Sequence, residues 1–515
     1  MSQDKDLIPA SYLFIDFKKY FPHSICQTRK RICISLHPAI DGRLPVDGRH
    51  CQSKQTRSGQ MNKISDFTEL KAILADRRVS TGVSVRELHS HDESYHTPVL
   101  PDVVVLPRTT EEVSRLVRWA YVKKVPVTAW GAGTSLEGNP IPVCGGMVID
   151  FSEMNQVIAV RPQDFQVDVQ AGVIYKELNK TLSHDGLFFP PDPGAAATIG
   201  GMIGNNASGI RTVKYGATKD YVMRLVVVLP NGDVIRVGNR ARKSSSGYNI
   251  LSLFIGSEGT LGIVTEATLK LIGLPVNFMA VRATFPEVFN ATNTVYSIMR
   301  SGITPSALEF LDTNVVRVLN SDRGLSLEEN PTLLMEFHGY SEQGLCEEMA
   351  FVEEICRENE ALFIDKGIGA AERARLWEIR HQTYESIKRY HPGLSPLIMD
   401  VAVPLSHFSE MVGFIKNEVQ DLHAYAFGHA GDGNIHVVVM DDPQAKKRWS
   451  RVEEANRKIV LQALAFEGTC SGEHGIGIGK SCFLPTEHGE SLALMKRIKA
   501  FLDPDNLFNP GKFFL

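Results

Sequence analysis

Three segments rich in glycine and small residues limit what this chain can fold into: WGAGTSLEG at 130–138, PPDPGAAATIGGMIGNNASG at 190–209 and IGSEGTLGIVTE at 255–266. Small side chains leave backbone N–H groups free to converge, and such nests hold a pyrophosphate without any lysine. Any one of these loops could equally be a tight turn that needs positive φ. Two nucleotide fingerprints do not fit. The run Gly131-Ala132-Gly133-Thr134-Ser135-Leu136 lacks the third glycine of GxGxxG, which disfavours a Rossmann NAD site. In GEHGIGIGKS the first glycine of a phosphate-binding GxxxxGK[ST] would fall on His474, which removes an NTPase.

At 515 residues the chain exceeds one core and is expected to hold roughly two to four domains. Its 43% apolar and 22% charged residues are those of a soluble globular protein. A net charge of −4 without a basic stripe gives no nucleic-acid footprint. The eight cysteines, at 26, 33, 51, 144, 346, 356, 470 and 482, show no CxxC or zinc-ribbon spacing and read as reduced thiols. No apolar run reaches the roughly 18 to 20 residues of a membrane-spanning helix, and MSQDKDLIPA lacks the order of a secretory signal. The expectation is a cytoplasmic protein, at most peripheral to the inner membrane.

Residues 1–62 are basic, loop-like and without sustained periodicity, and are expected to form a poorly ordered extension; Asp4, Asp6 and Asp16 argue against an amphipathic targeting peptide. From 63 to 274 strand and helix patterns alternate with the glycine loops. PDVVVLPRTTEEVSRLVRWAYVKKVPVTAWGAGTSL reads as a βαβ unit, with Thr109 or Thr110 capping a helix between strands at 103–106 and 125–129. From 275 to 450 strong amphipathic helices, CEEMAFVEEICREN and AAERARLWEIRHQTYESIKRYH among them, accompany strands and mark a second domain. Residues 451–515 read as helical and are expected to pack back on the first domain.

Two stretches of the C-terminal half carry reactive side chains. In YAFGHAGDGNIHVVV, strand-forming residues flank Gly-Asp-Gly-Asn, so His429 and His436 stand on either side of a tight reversal and can point at one centre. In CSGEHGIGIGK, Glu473 and His474 sit between glycines, an odd place for them unless the backbone must approach something closely. Two imidazoles and a carboxylate suit Zn²⁺, Mn²⁺ or Fe²⁺ with positions open for substrate. A hydrogen-bonded polar cluster without metal is the other reading of the same spacing.

Taken in order, PDVVVLPRTTEEV, GAGTSLEG, DPGAAATIGGMIGNNASG, YGATKDYV, GSEGTLGIVTE, GHAGDGNIH, SGEHGIG and DPDNLFNPGK resemble the vanillyl-alcohol-oxidase-type flavoproteins over roughly 65–515. The branch is that of cytochrome-type D-lactate dehydrogenase, the FAD-linked glycolate oxidase subunit and D-2-hydroxyglutarate dehydrogenase. The resemblance implies an α+β protein: an FAD-binding domain of two α+β subdomains, and a substrate or cap domain with an antiparallel sheet and helices. It places Gly131, Gly133, Thr134, Ser135, Pro193, Gly194, Thr198 and Gly201 on the FAD pyrophosphate. Ala207, Ser208, Gly209 and Tyr215 fall in the next flavin segment, and Glu258, Gly262 and Ile263 in the last. Some relatives tether FAD through a histidine in the first loop; Thr134 stands there, so non-covalent FAD is expected.

The same resemblance makes His429, His436 and Glu473 ligands of a divalent metal, Zn or Mn, and Arg380 the partner of a substrate carboxylate. His474 is the expected general base, kept neutral in part by the metal charge. Dicarboxylate relatives carry a lysine near the position of Ile398 and an asparagine at that of Val438, so a short monocarboxylate is favoured. The expected activity is oxidation of a D-2-hydroxy acid, foremost D-lactate, with electrons leaving to a quinone, a cytochrome or an electron-transfer flavoprotein. The alternatives are a glycolate-oxidising FAD subunit of a multi-subunit complex and a flavin- or metal-binding protein without turnover.

Overall fold

The computed structural model describes Ile64 and residues 66–514, so the extension expected at 1–62 lies outside the described residues. The βαβ unit forms as strand Val103–Val105, helix Thr110–Lys123 and strand Val127–Trp130. Thr109 caps the helix by accepting the N–H of Glu112, and Glu111 and Glu112 place negative charge in the first turn, where the helix dipole favours it. Both strands run parallel to Met147–Asp150, and Val79–Ser80 completes a four-stranded sheet. A five-stranded antiparallel sheet stands in the order Val157–Arg161, Gln166–Gln170, Ile263–Lys270, Val222–Val228, Val234–Gly238. These two α+β units form a first lobe. Its glycine loops leave strand Val127–Trp130, open helix Ile199–Asn205 and lead into strand Ile263–Lys270.

The second lobe is built on a seven-stranded antiparallel sheet. Its order is Phe363–Ile368, Asn277–Thr284, Thr332–Gly339, Ala307–Leu311, Ala424–His429, Asn434–Asp441, Ser395–Ala402. Alternation decides its faces: Leu397, Met399 and Val401 join the largest apolar cluster, while Ile398 packs with a second cluster on the opposite face. Fold class and domain types are those the sequence implied.

Two elements depart from expectation. The segment 370–391 divides at Gln382 into helices Ala370–His381 and Thr383–Tyr390. Leu376 and Trp377 of the first helix pack into one cluster, while its Ile379 and Ile387 of the second share another. Helix Lys446–Ala465, expected on the first lobe with the rest of 451–515, instead lays Trp449, Val452, Ile459 and Val460 into the core of the seven-stranded sheet. The turn toward the first lobe comes later: Lys499 donates to the carbonyl of Thr260, and Phe508 pairs with Val127.

Candidate active site

The three glycine loops meet in one cleft, open to solvent. Gly131, Gly133, Thr134 and Ser135 line it, as do Pro193, Thr198, Gly201 and Ala207 of the second loop and Glu258, Gly262 and Ile263 of the third. The other expected flavin contacts are not among the lining residues and make contacts of their own. The carbonyl of Gly194 accepts Nζ of Lys176 at 2.5 Å, and Gly209 bridges to Asp192. The Ser208 hydroxyl donates to Oε2 of Glu473 at 3.0 Å, and the Tyr215 hydroxyl meets Nδ1 of His338 at 2.6 Å. A Cβ on Gly131 would stand 2.4 Å from Oγ1 of Thr198, so the side chain of the second loop takes the space beside the first. The lining includes no lysine or arginine. A cradle of small residues and backbone N–H groups therefore fits an FAD pyrophosphate.

Glu473 and His474 line the same cleft. Strand Ala424–His429 reverses through Ala430–Asp432 into strand Asn434–Asp441, which brings His429 and His436 together as the spacing implied. Nε2 of His429 lies 3.1 Å, and Nε2 of His436 3.3 Å, from Oε1 of Glu473. One ligand atom from each of the three lies within 4.8 Å of the other two, within reach of a single cation. Burial disfavours charge on His429, but Glu309 and Glu473 on either side push its pKa up to about 10. Burial likewise opposes ionisation of Glu473, and His429 and His436 hold its carboxyl well below the usual range. The centre is rich in carboxylate, and a proton on His429 sits among donors that suit a divalent ion.

The His474 ring stacks on His436, with centroids 5.1 Å apart and 6° between planes. Burial lowers its basicity, but Asp400 and Glu137 raise it above an ordinary imidazole. The expectation of a base kept neutral counts the field of a bound cation, which would oppose these carboxylates. Arg380 is half-buried rather than solvent-facing. Its Nε donates to Oε2 of Glu309 at 2.6 Å and its guanidinium lies 5.0 Å from the centre of the Phe427 ring.

Two residues of the centre went unread in the sequence. Glu309 accepts from Nδ1 of His429 at 2.6 Å, taking that proton as ion-pair partner as well as acceptor. Asp400 forms a second close trio with His436 and His474, but its Oδ2 is already taken by the N–H groups of Glu473 and His474 at 2.8 and 3.0 Å. The available signal was a lone carboxylate within an apolar strand, ALEFL and PLIMDVAVP, since a fully buried acid needs a partner.

Residues 101–238 match the FAD binding domain family, and residues 274–513 match the family described as FAD linked oxidases, C-terminal domain. A probable mitochondrial D-lactate dehydrogenase of Danio rerio is 39% identical over 451 residues, covering 86% of this chain and 90% of that protein. The chain belongs to the FAD-linked oxidase family. Within that family, the mitochondrial D-lactate dehydrogenase [cytochrome] of Arabidopsis thaliana is 39% identical, covering 92% of this chain and 84% of its own. The glycolate oxidase subunit GlcD of Bacillus subtilis (strain 168) is 37% identical, covering 83% and 92%. The fold of this FAD-linked oxidase is that of 4-ethylphenol oxidase from Gulosibacter chungangensis, with a TM-score of 0.72 at 16% identity over 87% of this chain and 96% of that one.

Proposed function

We infer that this protein is an FAD-dependent D-2-hydroxy-acid dehydrogenase that oxidises D-lactate to the 2-oxo acid. One observation carries the reading: the cleft walled by the three glycine loops is also walled by Glu473 and His474, so flavin and reacting groups share one space. FAD, when bound, supplies the acceptor for the hydride leaving the substrate Cα, at flavin N5. A divalent cation, Zn or Mn, is assigned to His429, His436 and Glu473, where it would lower the pKa of the substrate hydroxyl.

The protein's own groups do the rest. His474, half-buried at the cleft wall, takes the hydroxyl proton. Nε of Arg380 is committed to Glu309, so the substrate carboxylate falls to the terminal nitrogens of its planar fork. Ile398 pairs across the sheet with Val438, and both share a face with Asp400 and His436 two positions along. That apolar wall accepts the methyl of lactate.

Electrons then pass to a quinone, a cytochrome or an electron-transfer flavoprotein. Among the described residues no helix is long and apolar enough to cross a membrane. Cys144, Cys346, Cys356 and Cys470 carry free thiols, which suits a reducing compartment.

The test is anaerobic. Yellow protein purified alone is mixed with D-lactate, L-lactate, glycolate and D-2-hydroxyglutarate, and flavin absorbance is followed. D-lactate should bleach it fastest and L-lactate should not. A flavin that glycolate reduces faster than D-lactate, or that none of these acids reduces, overturns the assignment.

A further inference from the structure

Glycines surround Glu473 and His474 because carboxylate and amide side chains occupy the space that side chains would need. A Cβ on Gly472 would stand 2.0 Å from Nδ2 of Asn434 and 2.9 Å from Oδ1 of Asp400, and one on Gly475 would stand 2.6 Å from Oε1 of Glu258. Asp400 belongs to strand Ser395–Ala402 of the second lobe, and Glu258 to the third glycine loop of the first. Both side chains are buried, and each accepts hydrogen bonds from the backbone between them.

Oδ2 of Asp400 accepts the N–H of Glu473 at 2.8 Å and of His474 at 3.0 Å, and the hydroxyl of Ser471 at 3.1 Å. Its Oδ1 accepts Nδ2 of Asn434 at 2.7 Å, and Nζ of Lys480 stands 3.5 Å from Oδ2 with a closer bond, 2.9 Å, to the Asp400 carbonyl. On the other side, Oε1 and Oε2 of Glu258 accept the N–H groups of Ile476 and Gly477 at 2.6 and 3.0 Å. Glu258 does this from a left-handed backbone, φ 49°, that a residue with a Cβ adopts only when its surroundings impose it. Between the two grips, the carbonyl of His474 accepts Nδ2 of Asn205 at 3.2 Å.

We propose that Asp400 and Glu258 are positioning residues of the reaction: two buried carboxylates, one from each lobe, that hold the backbone of 473–477 and so set Glu473 and His474 against the flavin cleft. Hydrogen bonds to buried carboxylates restrain a backbone firmly, because away from water each is stronger than in solvent. Hydride transfer needs that restraint, because a displacement of about 1 Å at the reacting atoms costs on the order of 100-fold in rate. The clamp also couples the lobes: neither carboxylate alone fixes all four N–H groups. The proposal rests on the assignment of His474 as base, yet the backbone bonds can be read without any substrate.

The experiment uses FAD-loaded full-length protein and the variants Asp400→Asn and Glu258→Gln, which keep shape and replace one acceptor oxygen by a donor. Amide hydrogen exchange over 471–477 is measured beside single-turnover flavin reduction at graded D-lactate. In Asp400→Asn the amides of Glu473 and His474 should exchange at least about tenfold faster, and in Glu258→Gln those of Ile476 and Gly477 should. In both, the limiting rate of flavin reduction per bound FAD should fall on the order of 100-fold, with half-saturating D-lactate within about threefold. Unchanged exchange overturns the clamp; raised exchange with a limiting rate within threefold of wild type overturns its role in the reaction. If neither variant accumulates folded, the wild-type pattern decides: the four amides must be protected like the core strand Asn434–Asp441, and loop-like exchange overturns the proposal. A wild-type flavin that D-lactate fails to reduce would sink the functional assignment and leave the exchange pattern to judge the clamp.

Discussion

Nδ1 of His429 lies 2.6 Å from Oε1 of Glu309, and the two residues face each other directly across paired strands. The other oxygen of that carboxylate takes Nε of Arg380, also at 2.6 Å. A carboxylate behind a histidine fixes its tautomer and turns the far nitrogen toward the centre. Glu309 thus links the group proposed to meet the substrate carboxylate with the group proposed to meet the metal.

Glu309→Gln should leave FAD content unchanged and weaken Zn²⁺ or Mn²⁺ binding by about 10- to 100-fold, the usual consequence of losing such a partner. Competition titration with a chelating dye reads it. An affinity within twofold of wild type would mean that His429 needs no orienting carboxylate.

Metal uptake should release protons. His429 has a pKa pushed up to about 10: burial opposes its charge, and Glu309 and Glu473 overcome that. Because this value is raised, the imidazolium persists at neutral pH and is lost only as pH rises through about 10, whereas a metal ligand must be neutral. At pH 8 about one proton should appear per metal bound, and apparent affinity should rise about tenfold per pH unit below 10. A pH-independent affinity between 7 and 9 would contradict the assignment.

Acid precipitation should release all yellow colour into the supernatant, since Thr134 lines the cleft where some relatives carry a tethering histidine. Flavin retained on the washed pellet would refute a non-covalent cofactor.

D-lactate should be preferred over D-2-hydroxyglutarate by about 2–3 kcal/mol in kcat/KM, roughly 30- to 150-fold. Ile398 offers the far carboxylate no charge, and burying a carboxylate unpaired is costly. Two arginines that might have compensated are engaged: Arg373 with Glu336 at 2.6 Å, and Arg375 with Glu372 at 2.9 Å and Asp365 at 3.1 Å. Ile398→Lys should narrow the gap from the dicarboxylate side. Comparable kcat/KM for the two acids in the wild-type protein would show that the pocket is built otherwise.

The sequence by itself determined the local devices. Glycine at 131 and 133, strand-forming residues around Gly-Asp-Gly-Asn, and a glutamate and histidine between glycines can be recognised wherever they occur, because each follows from the conformational range and chemistry of neighbours in the chain. Tertiary structure alone decided the partners. Glu309 meets His429, and Asp400 stands across from His436, only through strand register, and a slip of one residue would turn each acid to the opposite face. The same limit explains helix Lys446–Ala465, whose apolar stripe shows that it packs but not against which sheet. Glu258 lines the cleft, and its carboxylate also holds Ile476 and Gly477, 218 and 219 residues further on. No local pattern encodes a contact at that separation; it exists because both lobes, once folded, close on one segment.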